Sequence, residues 1–122
     1  MSRATQSDGY VAKSRQVLGQ ARDELSRGDA VQASEKLWGA AAQMVKAIAQ
    51  KRGWPHRTHG DLFSAVSCLV KETGDDDLSA LFHTASGLHT NFYENWDPPE
   101  LVASSVPAIE KLVAKLGQLS EA

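Results

Sequence analysis

"AVQASEKLWGAAAQMVKAIAQKR", residues 30–52, decides the fold. Leu37, Ala41, Met44 and Ile48 recur at three- and four-residue steps and form one apolar stripe of a helix. Trp38, Ala42, Val45 and Ala49 form a second stripe beside it. A helix lying on a surface needs only one such stripe, so two adjacent ones predict a central helix, covered on more than one side. "GAAA" at 39–42 removes bulk in mid-helix and lets another helix, or a second copy of the chain, come close. Gly39 costs about 1 kcal/mol there against alanine, a cost that close packing offsets. Upstream, Gly28 suits a helix end and Asp29 suits the cap of the next, with Gln32 three residues on.

Working outward, Val11, Ser14, Leu18, Ala21 and Leu25 predict a helix over about 8–27, with Arg15, Arg22, Asp23 and Arg27 on its solvated side. Leu62, Val66 and Leu69 predict another over about 60–73. A fourth spans about 76–96, where Leu78, Leu81, Phe82, Ala85, Leu88, Phe92 and Trp96 share one broad stripe. "DPPE" then offers Asp97 as a cap, Pro98 in the first helical position and Glu100 two residues later, starting a fifth helix over about 98–119. Pro107 within it is expected to bend or split it. No segment alternates with period two. The expectation is an all-α, up-and-down bundle of four to five helices, one domain over residues 8–119 after a loose start at 1–7.

Composition narrows the function. A net charge of −2 argues against a molecule that is electropositive all over, so nucleic-acid binding would need a local basic patch. The single cysteine, Cys68, cannot pair internally and has Ser67 and Leu69 rather than cations beside it. It reads as inert and partly buried. The polar start "MSRATQSDG" has no signal-peptide core, and no apolar run reaches the roughly 18 residues that span a bilayer. A cytoplasmic location without membrane contact is the expectation.

Two places could carry chemistry. The first is "GLHTNFYENWDPPE", 87–100, the densest stretch of chemically capable side chains. On an ideal helix His89 falls inside the apolar stripe, with Asn91 at its flank, Tyr93 at its edge and Glu94 opposite. An unpaired buried imidazole costs roughly 1–3 kcal/mol, so His89 must find a partner. It is either a satisfied core histidine or one lining a pocket or dimer cleft. The second is "KRGWPHRTHGD", 51–61, where Lys51, Arg52, His56, Arg57 and His59 surround Trp54. Such a set can hold phosphate and stack a base, or Trp54 can fold back while the charges stay solvated. His56, His59 and Asp61 make too few ligands for a structural metal, and Cys68 does not complete the set. No phosphate-binding glycine loop or nucleophile elbow is present, and no cofactor is implied. Glu35 with Lys36, and "DDD" at 75–77, read as solvated face and cap.

"ASEKLWGAAAQMVKAIA", then "RGW" and "HGDL", then "LHTNFYE" together resemble the HEPN superfamily, and more narrowly its archaeal-repeat, PaREP-like branch. The resemblance covers about residues 8–116, with "LHTNFYE" its most specific part. It implies four antiparallel helices plus a short or bent extra one, a homodimer, binding of a nucleotide or RNA, and a nucleotidyltransferase-type protein partner. It also implies a catalytic pair in which an arginine precedes His89 by four to six intervening residues. Positions 82–84 hold Phe82, His83 and Thr84, so that arginine is missing. The expected function is therefore a homodimeric module that binds a nucleotide or RNA without strong catalysis. Arg52, Trp54, His56, Arg57, His59, Asn91 and Tyr93 are its ligand-binding candidates. A protein–protein interaction module is one alternative, and a divergent metal-independent ribonuclease using His89 is another.

Overall fold

Five helices account for most of residues 2–122, which are those the computed structural model describes: α1 (Arg3–Ser26), α2 (Ala30–Arg52), α3 (His59–Thr73), α4 (Asp77–Glu94) and α5 (Pro99–Glu121). Among the described residues there is no strand, as the periodicity predicts. The Asp29 carboxylate accepts the Gln32 amide at 3.0 Å and starts α2. Gly53 ends it at φ +71°, in the left-handed region where a side chain would be strained. At α3 the Thr58 hydroxyl accepts the Asp61 amide while the Asp61 carboxylate accepts the Thr58 amide, a reciprocal capping box.

Four long helices alternate in direction, and α3 is the short extra one. Ser14 of α1 donates to the Ala40 carbonyl of α2 and Ser7 to that of Ala47, which sets the two antiparallel. Asn91 of α4 meets Ser34, and Arg22 of α1 pairs with Glu110 of α5. Lys115 and Lys111 of α5 reach back to Asp75 and Asp77 at the start of α4. α3 runs with α2 instead. His59, at its start, packs on Trp38, whereas Glu72, near its end, pairs with Arg52 fourteen residues further along α2. The connection 53–58 is thus a crossover that climbs back along the bundle, passing Tyr10 at His56.

α2 is the central element. It touches all four other helices, while α1 reaches neither α3 nor α4. Both of its stripes are buried, Leu37, Met44 and Ile48 on one and Trp38, Val45 and Ala49 on the other. All of these but Ala49 form one core with Phe82, Leu69, Leu78, Ile109, Leu112 and Leu116. Burial of each large side chain stabilises the fold by about 1.5–3 kcal/mol. The small residues serve helix approach: a Cβ on Gly39 would lie 3.3 Å from Val17 of α1.

Several expectations change. The start read as loose is helical from Arg3, because the Ser2 hydroxyl caps the Thr5 amide and the buried Ser7 ties this turn to α2. α4 stops at Glu94, where Asn95 turns left-handed at φ +52°. Trp96 therefore leaves the helical projection and is 66% exposed instead of joining the core stripe. Pro98, not Asp97, occupies the cap position of α5. That helix runs unbroken through Pro107, whose ring faces solvent. Cys68 is exposed. No helix among the described residues is long and apolar enough to cross a membrane.

Candidate functional site

Glu35 and His89 form the chemical centre of the α2–α4 face. Nδ1 of His89 lies 3.0 and 3.1 Å from the two carboxylate oxygens of Glu35. A carboxylate only accepts, so Nδ1 carries a proton, and in the neutral ring Nε2 keeps its lone pair. No protein group bonds Nε2. Among the described residues no buried polar side-chain atom lacks a partner, so Nε2 reaches solvent. The pair sits at the edge of the core, with side chains 20% and 30% exposed. A base whose tautomer and direction are fixed by a carboxylate is the arrangement that proton transfer requires.

Rings surround this pair. Trp38 lies tilted against His89 with centroids 5.2 Å apart, and His59 stands edge-on to both, at 5.1 Å from Trp38 and 4.8 Å from His89. Tyr93, one turn beyond His89, meets it edge-on at 5.3 Å and is 70% exposed. Trp38 is buried while His59 is exposed, so the group forms an open shelf with an apolar floor. Edge-to-face contacts of this kind hold rings in place and leave outer faces free to stack. Among the described residues no three His, Cys, Asp or Glu side chains are grouped to hold a metal ion.

The other predicted residues fall elsewhere. Asn91 is fully buried, and every polar atom of its side chain is engaged within the fold. Its Nδ2 donates to Ser34 at 2.9 Å, and its Oδ1 accepts the amides of Trp96 and Asp97 at 3.0 and 2.7 Å. It therefore clasps the α4–α5 turn onto α2 and does not face a ligand. Arg52 is held by Glu72 and lies over the Trp54 ring, 5.1 Å from its centroid. Trp54 itself folds onto the core. Lys51 is tied to the Ser120 carbonyl. His56 donates through Nδ1 to the Trp54 carbonyl, 2.8 Å away, and turns its ring toward Tyr10. Arg57 leaves its side chain in solvent. Its amide and that of Thr58 bond the Asp61 carboxylate and hold it below the usual carboxylate range. The two sequence stretches thus contribute His59, His89 and Tyr93 to one shelf, with Arg57 two residues from it.

Glu35 and Trp38 were not among the predicted site residues, and a signal for both existed. Glu35 stands three residues before Trp38 and seven before Ala42, so it continues the second stripe of α2 by one step. An acid on an apolar stripe needs a partner just as a histidine does, and each is the other's.

The chain resembles a protein of known structure from Sulfolobus solfataricus, with a TM-score of 0.77 and 23% identity, over 88% of this chain and 95% of that one. At that identity the likeness speaks for the fold alone. No curated protein matches. Residues 9–113, from the second turn of α1 to the middle of α5, match the archaeal PaREP1/PaREP8 family, and the chain belongs to that family.

Proposed function

We propose that this chain is a HEPN-type, homodimeric binding module that takes a nucleotide, alone or within RNA, on the shelf formed by α2, α4 and the start of α3. The observation that carries the reading is the Glu35–His89 pair, set among rings with one imidazole nitrogen held and the other open. Tyr93 and His59 supply stacking faces, Nε2 of His89 a directional hydrogen bond, and Arg57 positive charge for phosphate. Arg52 contributes to the fold rather than to the ligand, because Glu72 already neutralises it. The reading places the module in the cytoplasm with a nucleotidyltransferase-type protein as a fitting partner. Fluorescence anisotropy with labelled nucleotides and short RNAs tests it. Affinity should fall steeply as salt rises from 50 to 200 mM, on the order of tenfold for a few phosphate contacts, and should fall again in His89→Ala. Binding indifferent to salt and to His89→Ala would end the proposal.

The same pair favours a second reading, a metal-independent ribonuclease without the expected arginine. Nε2 of His89, its ring oriented by Glu35, would take the proton from an RNA 2′-hydroxyl as that oxygen bonds the adjacent phosphorus, and the 5′-oxygen would leave with a proton from solvent, beside His59. RNA cleavage in the presence of chelator, lost in both His89→Ala and Glu35→Gln, is the expected result. Equal traces of cleavage from wild type and variants would remove it.

A further inference from the structure

We infer that the binding track continues from the shelf, over the crossover 53–58, into the groove between α1 and α2, so that the ligand is a single-stranded nucleic acid of several nucleotides. The inference rests on the reading of the shelf given above and extends it to a second site. The groove has a volume of about 480 Å³ and is lined by Gln6, Gly9, Tyr10, Lys13, Gln43 and Gln50, with no acidic side chain among its walls. Gln50 donates to Gln6 across the groove, which leaves Gln43 to offer the paired donor and acceptor that base edges require. Tyr10 offers a ring and Lys13 a charge. The groove is open at Gly9, where a Cβ would meet nothing within 4 Å.

Contacts link the groove to the shelf. Tyr10 stands edge-on to His56 with centroids 5.9 Å apart. The chain then climbs through the exposed Arg57 to His59, which meets His89 at 4.8 Å, and His89 meets Tyr93 at 5.3 Å. Aromatic and cationic side chains therefore alternate along one path, the pattern that stacks successive bases and follows their phosphates. Acids on the path are already engaged, Glu35 by His89 and Asp61 by the Arg57 and Thr58 amides. Asp8 projects about 130° around α1 from the middle of the groove.

Charge is segregated in the same sense. Residues 1–57 carry ten of the thirteen Lys and Arg and five of the fifteen Asp and Glu, a net +5, against −7 for residues 58–122. The near-neutral total conceals a basic α1–α2 side and an acidic α4–α5 side. A single strand laid along the first is attracted and is repelled from the second.

The test is anisotropy with labelled oligouridine of eight and of two nucleotides, an eight-nucleotide oligothymidine, and an RNA duplex as competitor. The octamer should bind at least about tenfold more tightly than the dinucleotide. The double variant Tyr10→Ala/Lys13→Glu should lower octamer affinity about five- to tenfold, one stacking contact and one phosphate contact, and leave the dinucleotide unchanged. Gln43→Glu, a single charge change at a half-buried position in the same groove, gives the same selective loss if the double variant melts early. His89→Ala should weaken both ligands. Octamer binding lost in His89→Ala yet untouched by all groove variants overturns the groove and leaves the shelf standing. No binding of any oligonucleotide removes the shelf and the groove together. A duplex that competes as well as a single strand also overturns the inference, whereas equal affinity for oligothymidine supports it and shows that the 2′-hydroxyl is not read.

Discussion

Two rungs join α2 to α4, and they are built to different ends. Ser34–Asn91 lies wholly inside, with both the nitrogen and the oxygen of the amide engaged. Glu35–His89 lies one residue on along α2 and two back along α4, at the surface, with one ring nitrogen held and the other free. A polar group that is fully satisfied can only hold structure, whereas one that is half satisfied keeps bonding capacity for something else. Neighbouring residues of similar polarity thus divide into a clasp and a candidate site, and burial decides which is which.

The comparison breaks first at the clasp. Asn91→Ala strands the Trp96 and Asp97 amides and loosens the α4–α5 turn, and should lower stability by about 3 kcal/mol, a drop in melting temperature of about 10 °C. A melting curve that stays in place would show that the clasp contributes nothing. At the site the balance reverses. His89→Ala should cost less than about 1 kcal/mol in urea denaturation, since the ring is partly exposed, and should weaken nucleotide binding about tenfold. Arg57→Ala should weaken binding less, about three- to fivefold, and flatten its dependence on salt by about one phosphate contact. Arg52→Ala should leave affinity within about twofold of wild type, because its charge is spent on Glu72; a larger loss would place the phosphate on the wrong side of the crossover.

A pH experiment sharpens the contrast with purely structural ion pairs. The Lys115 ammonium, 2.7 Å away, holds the Asp75 carboxyl below its ordinary value, and Asp75 in turn raises Lys115. Asp75 therefore stabilises the fold in full above the ordinary carboxylate range, near pH 4, and loses that effect as pH falls through its lowered value. Lys115 contributes below the ordinary lysine range and loses its effect as pH rises through the raised value. Melting temperature followed from pH 7 to pH 2 should fall less in Asp75→Asn than in wild type. Identical acid limbs would show that the pair is idle.

Much of the fold could be read from α2. Two stripes on one helix require neighbours on two sides, and the short breaks around Gly28 and Gly74 set the order of the elements. The direction of α3 could not be read, since six residues can either turn or climb and only the Arg52–Glu72 and Trp38–His59 contacts distinguish them. Trp96 was misplaced because projection along a helix assumes that the helix continues, and one left-handed Asn95 ends it. At the site, His89 showed itself by a polar residue on an apolar stripe, and the same rule finds Glu35. Asn91 misled because side-chain type reveals capacity for hydrogen bonding and says nothing of whether backbone amides have already used it.

The crossover that sets α3 alongside α2 has a consequence for motion. α3 is the shortest helix and meets only α2 and α4, so it is the unit that can detach while the four long helices stay packed. Its first residue is His59. One local opening therefore takes a ring off Trp38 and leaves Glu35 and His89 where they stand. Amide hydrogen exchange should find residues 62–73 opening more readily than the middle of α2, and a ligand seated against His59 should slow exchange along the whole of α3, including turns it never touches.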